Sequence, residues 1–300
     1  MTGRVDGVCA LAGILGLMMA SPAAVAAPTQ PVASAADIIA AAAPSEWRTL
    51  AADRLMVIDL PKGRVVIELA PDFAPVHVAR IRQLVRSGYF DRAVILRSQP
   101  NYVVQWGLPE DHRPASAPGP LKAEFDAPGL LPLEALPDRD SYAPEVGFSV
   151  GFPAARDWAD GRSWLVHCYG MVGVGRDNSP DSGDGTELYA VTGHSPRQLD
   201  RNITVVGRVV LGMELLQAMP FGTGDLGFYR TPAEMTPLRK VSMAQDMPLA
   251  DRVRLQALRT DSESFRKLVD SRRNRRDPWF VHPAGHVDLC NVPLPVRPAP

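Results

Sequence analysis

Tyr89 to Gln105 reads Y-F-D-R-A-V-I-L-R-S-Q-P-N-Y-V-V-Q. Two apolar runs, Ala93 to Leu96 and Tyr102 to Val104, flank a Pro-Asn turn at Pro100 and Asn101, the pattern of two short strands joined by a hairpin. A single cation, Arg97, closes the first run, and an amide, Gln105, closes the second. A charge and an amide placed where two strands end point to a site rather than a core.

Outward from this hairpin the chain alternates in the same way. Leu55 to Leu60 and Arg64 to Leu69 read as strands joined by Pro61-Lys62-Gly63. Pro75 opens a helix, with Val78, Ile81, Leu84 and Val85 at helical spacing, and Gly88 stops it. Short strands are expected at Met171 to Val174, Glu187 to Thr192 and Thr204 to Val209, then a helix at Met213 to Met219 and a closing strand at Lys240 to Met247. Between residues 107 and 165 the pattern dissolves into Pro, Gly, Asp and Ala. An irregular stretch of that length is usually functional or partly folded. The tail from Leu249 to Arg276 has helical composition, with a broken apolar face of Leu249, Val253, Leu258, Phe265, Leu268 and Val269. It is too short to build its own core and reads as a helical appendage. Arg272, Arg273, Arg275 and Arg276 suit a solvated helix C-terminus.

At 300 residues and 46% apolar content the chain can bury a sizeable core. Its net charge of -1 supports neither nucleic acid nor an anionic membrane as partner. Residues 1–26 read as a secretory signal peptide: Arg4 is the positive start, Val8 to Ala20 the apolar run, and Ala24-Val25-Ala26 the cleavage site. The run falls short of the ~20 residues a membrane span needs. The expected product is a soluble periplasmic protein, followed from 27 to 52 by an Ala/Pro/Ser-rich linker with a short helix near Ala35 to Ala43. Export leaves Cys168 and Cys290 in an oxidising compartment. One disulfide tying the tail to the domain is the favoured reading, with two separate cysteines as the alternative.

The opening segment resembles the signature of the cyclophilin-type peptidyl-prolyl cis-trans isomerases, which runs F-Y-D-G-x-x-F-H-R-V-I-P-G-F-M-I-Q-G-G. Tyr89-Phe90-Asp91, Arg97, Pro100, Tyr102 and Gln105 keep its register. Lys62 to Pro71 resembles the family's first hairpin, Ala74 to Gly88 its first helix, and Leu199 to Met213 its late strand. The resemblance covers about Leu55 to Met219. It implies a mainly β fold, a closed eight-stranded antiparallel barrel capped by two helices. The domain would span residues 53–247, with 107–165 as an insertion and 248–300 as a helical extension.

The implied reaction is rotation about X-Pro bonds, whose barrier of ~18–20 kcal/mol comes from amide resonance. No cofactor is needed; the catalyst must stabilise the twisted amide better than the planar one. In that state the prolyl nitrogen gains lone-pair character, and a guanidinium can donate to it. Arg97 is the implied catalytic residue and Gln105 the backbone grip. The implied substrate contacts are Tyr102, Val103, Gly175, Glu187, Leu188, Tyr189, Leu199 and Ile203. Tyr189 stands at the family's pocket Phe, Gln198 where Trp is frequent, and Ile203 at the usual His. Trp106, replacing a Gly, could wall the groove, obstruct it, or simply pack in the core.

Expected partners are proline-containing segments of exported proteins, met by a monomer that assists folding. The alternative is a catalytically weak peptide-binding or chaperone module. Other motifs fail on spacing. Asp177, Asp181 and Asp184 lack the Gly and Glu of a calcium loop, and Pro283 and Gly285 break the helix that would align His282, His286 and Cys290.

Overall fold

The computed structural model describes residues 3, 33–116, 118–277 and 279–300. Apart from Gly3, the expected signal peptide lies outside the described residues, as do residues 27–32 of the expected linker. The described residues from Ala33 on belong to one unit, and among them no helix is long and apolar enough to cross a membrane.

Residues 33–52, read as a linker with a short helix near Ala35 to Ala43, hold that helix and add a paired strand. Ser34 caps helix α1 (Ala35–Ala41) by accepting from Asp37 N–H, and β1 (Trp47–Thr49) follows with Trp47 buried. The alternating stretch after it forms β2 (Leu55–Leu60) and β3 (Gly63–Leu69), then α2 (Pro75–Arg86), β4 (Val94–Ser98) and β5 (Val103–Gly107). The insertion supplies β6 (Ala127–Pro128), β7 (Glu134–Ala135), β8 (Glu145–Ser149), β9 (Phe152–Asp157) and β10 (Arg162–Leu165). Next come β11 (Met171–Val174), β12 (Leu188–Val191), β13 (Val205–Leu211), α3 (Met213–Gln217) and β14 (Lys240–Met243). The tail holds β15 (Leu255–Leu258), α4 (Glu263–Arg273) and β16 (Val296–Pro298).

Eight strands pair antiparallel in the order β14-β2-β3-β13-β11-β12-β5-β4. Apolar residues on one face of this curled sheet, among them Met56, Ile67, Ile95, Val104, Trp106 and Leu188, pack against Val78 and Ile81 of α2. The expected closed barrel is not formed. Edge strands β4 and β14 share no ladder; between them stand one isolated bridge, Val94 to Pro237, and the bonds Ile95 N to Thr236 O and Leu238 N to Ala93 O. Pro237 has no N–H to extend that bridge.

The insertion is not a loop but a five-stranded antiparallel sheet, β6-β10-β9-β8-β7, with Phe148, Phe152 and Trp164 in its core. β6 and β7 are too short to show a period, and β8 to β10 are buried on consecutive residues and so do not alternate, which is why the sequence reads as irregular. The tail departs from the helical expectation too. Among its described residues only Glu263–Arg273 is α-helical, while Leu255–Leu258 pairs between β1 and β16. Tertiary pairing overrides helical propensity here, because Leu255 and Ala257 find an apolar cluster on one face. Cys168 and Cys290 form a disulfide, with Cα atoms 4.9 Å apart.

Candidate active site

A one-residue irregularity in β4 builds the site. Ile95 pairs with Trp106 but Arg97 pairs with Gln105, so Leu96 is an extra residue in the ladder. In an unbroken ladder Arg97 would share the core face of Ile95; the bulge turns it to the opposite face, beside Gln105. Across β5, Gln105 pairs with Tyr189 and Val103 with Val191 of β12. One face of three adjacent strands therefore carries Arg97, Val103, Gln105 and Tyr189.

Arg97 is held on all sides. Its Nε donates to Leu226 O at 2.6 Å and its Nη1 to Gln105 Oε1 at 3.4 Å, while Nη2 bonds Gln99 Oε1. Its guanidinium carbon lies 5.6 Å from the Tyr102 ring centroid and 5.2 Å from that of Phe228. Burial pulls its pKa below the ordinary arginine value, opposed by Tyr102. Arginine stays charged in water at any relevant pH, so the group is a fixed, partly desolvated cation. Gln105 is oriented from two ends: Arg97 donates to its oxygen, and its Nε2 donates to Glu187 Oε2 at 2.5 Å. Arg113 pairs with the same Glu187 carboxylate.

Beside the cation lies an apolar recess. Val103, Tyr189 and Val191 form a small buried cluster, with Tyr102 and Ile203 packed on it. Arg97, Tyr102, Val103, Gln105, Gly175, Glu187, Tyr189, Leu199 and Ile203 all line one groove of about 340 Å³. Leu188 does not. It is fully buried in the core beneath the sheet, because adjacent strand residues face opposite sides. Trp106 is buried in that same core and neither walls nor blocks the groove.

Sequence reading missed Phe228, Arg113, Arg176, Asp177, Ser182, Asp184 and Thr186, which complete the lining. Phe228 comes from the segment after α3, whose Leu226 lies 129 positions beyond Arg97. No local pattern signals such a contact. The expected strand members came from the family resemblance, which reaches the motif segments, and these loop residues lie outside them and carry no period.

The family model "Cyclophilin type peptidyl-prolyl cis-trans isomerase/CLD" matches residues 55–242. The chain belongs to this family. Among curated relatives, a probable peptidyl-prolyl cis-trans isomerase of Brucella suis biovar 1 (strain 1330) is 27% identical over 175 residues, 57% of this chain and 74% of that protein. A protein of the same description from Brucella abortus (strain 2308) gives the same identity and coverage. The crystal structure of the cyclophilin AquaCyp293 from Hirschia baltica superposes with a TM-score of 0.68 at 25% identity, covering 88% of this chain and 97% of that one. That likeness extends beyond residues 55–242, so the cyclophilin neighbour shares part of what surrounds the eight-stranded sheet.

Proposed function

We propose that the protein is a peptidyl-prolyl cis-trans isomerase that assists folding of exported proteins, with Arg97 as its catalytic residue. One observation carries the reading: a partly desolvated guanidinium borders an apolar recess walled by Tyr102, Val103, Leu199 and Ile203. The recess takes the prolyl ring. Gln105 grips the peptide backbone on one side of the bond, so the other side is free to turn. As the amide twists, Arg97 donates to the prolyl nitrogen, which is a better acceptor in the twisted state than in the planar one. No proton or covalent bond changes hands.

Periplasmic location, a monomeric state and clients among exported chains complete the proposal. The signal-like start and the disulfide support export. A second reading, a binding module with slow turnover, is favoured by Gln198: it is exposed and contributes nothing to the groove lining, although it stands where the family often carries a Trp.

The test is a proline-limited peptide isomerisation assay on the chain from residue 27, beside Arg97→Ala. The wild type should accelerate exchange, and the variant should lose about 10²–10³-fold, as when one transition-state donor is removed. Equal acceleration by both would remove Arg97 from the mechanism. Peptide binding without acceleration would select the second reading.

A further inference from the structure

Behind the groove, polar side chains from separate parts of the chain form one buried line. Tyr189 Oη lies 3.0 Å from His167 Nε2, and His167 Nδ1 lies 3.0 Å from Asp200 Oδ1. Arg197 donates through Nε to Asp200 Oδ2 at 2.7 Å, and through Nη1 and Nη2 to the two oxygens of Asp140, each at 2.7 Å. Asp140 is not part of the eight-stranded sheet. It sits between β7 and β8 of the second sheet, where it also accepts from Tyr142 N–H at 2.8 Å and Ala143 N–H at 3.0 Å. The side chains of His167, Arg197 and Asp140 are 1%, 5% and 5% exposed.

The proton inventory closes along the whole line. A carboxylate oxygen at Asp200 can only accept, so the tautomer that fits has the ring N–H at His167 Nδ1 and Nε2 accepting a hydrogen bond from the Tyr189 hydroxyl. Burial pushes the Tyr189 phenol pKa well above its ordinary value, which keeps it a donor. Gly173 makes the phenol's place: a Cβ there would lie 2.3 Å from Tyr189 Oη. Such close polar pairing, shielded from water, is costly to leave half satisfied. The Tyr189 ring is thus fixed at its far end, while its near side lines the recess.

We propose that Asp140 is a positioning residue for the prolyl pocket, holding the Tyr189 ring in place through Arg197, Asp200 and His167. Arg197 and Asp200 also bracket Leu199, a second lining residue, so one line sets two walls of the recess. The second sheet is therefore part of the site rather than an ornament on it. This inference rests on the groove being the prolyl site.

The test is a double-mutant cycle of Asp140→Asn and Tyr189→Phe. It is read as the Kd of a short Ala-Pro-containing peptide by NMR titration and, separately, as its cis-trans exchange rate at saturation. Each single variant should raise Kd about fivefold, the effect of one lost buried hydrogen bond. The double variant should be no worse than either single one, with the saturated exchange rate changed less than about twofold. Effects that multiply in the double variant would show Asp140 acting on binding independently of Tyr189 and overturn the proposal. Tyr189→Phe decides independently if Asp140→Asn fails to fold, since it removes one oxygen that faces away from the groove. Unchanged Kd in Tyr189→Phe overturns the proposal whatever Asp140 does. Should the wild type bind the peptide without accelerating exchange, the isomerase reading falls while the Kd cycle still decides this one.

Discussion

Arg97 is more than a positive charge in this groove, because each part of its fork has a separate partner. Nε holds Leu226 O, and the two terminal nitrogens reach Gln105 and Gln99. A lysine would keep the charge but lose the planar fork that these partners fix. Arg97→Lys should therefore recover less than about a tenth of the wild-type kcat/KM in the peptide assay, most of the deficit falling on kcat. Near-full activity would reduce the residue to a point charge. Trp106, next in β5 to Arg97's ladder partner Gln105, makes the opposite case. It faces the core with 1% exposure, so Trp106→Ala should cost about 3–5 kcal/mol of stability. Peptide Kd, measured below the variant's melting range, should stay near wild type. A denaturant titration measures the first quantity and NMR titration the second.

Among the elements, α2 shows how the segment 107–165 supports the eight-stranded part of the fold. Its N-cap residue, Ala74, offers no side chain to the first free N–H groups. Glu124, far along the chain, supplies them: it accepts from Val76 N at 3.0 Å and His77 N at 2.9 Å, and lies 2.7 Å from His77 Nδ1. Burial alone would raise its pKa, but the bonds from the His77 side chain and the two backbone N–H groups outweigh that and lower it. A carboxylate depressed in the folded state stabilises above its unfolded value and loses that contribution as pH falls through the folded one. Glu124→Gln should thus destabilise by about 1–2 kcal/mol at pH 7. The gap to wild type should narrow below about pH 4.3, the ordinary glutamate value. Melting curves at pH 7 and pH 3.5 check both halves. How legible such features were follows from their range. β2, β3, α2 and β11 could be read because period and punctuation are local. Alternation also shows that Leu188 and Tyr189 face opposite sides, so only one of them belongs to the groove. Neither the extra residue at Leu96, the Phe228 wall nor the Glu124 cap leaves a local trace, since each depends on which distant segment lies opposite.

At the scale of the whole molecule, three sheets must be held in register, and two devices do it by different physics. The first is electrostatic. Glu68 of β3 takes Arg48 of β1 at 2.6 Å and Arg208 of β13 at 3.2 Å, while Arg208 also lies 5.7 Å from the Phe152 ring of the second sheet. The second is covalent. Cys168, just before β11, is joined to Cys290 at a sequence separation of 122, so the bond closes a loop that includes the groove's far wall, α3 and α4. In the chain-entropy view a loop of that size constrains the unfolded chain most, worth about 2–5 kcal/mol once native strain is allowed for. Reduction, or Cys290→Ser, should therefore lower the thermal midpoint by several degrees, to a similar extent in both cases. At 25 °C the eight-stranded sheet should keep its groove, because Arg97, Gln105 and Tyr189 are placed by β4, β5 and β12 and not by the tail. A reduced protein that melts earlier yet binds the Ala-Pro peptide with unchanged Kd would separate the two contributions. Loss of binding on reduction would instead make the disulfide part of the pocket, acting through His167, the residue next to Cys168.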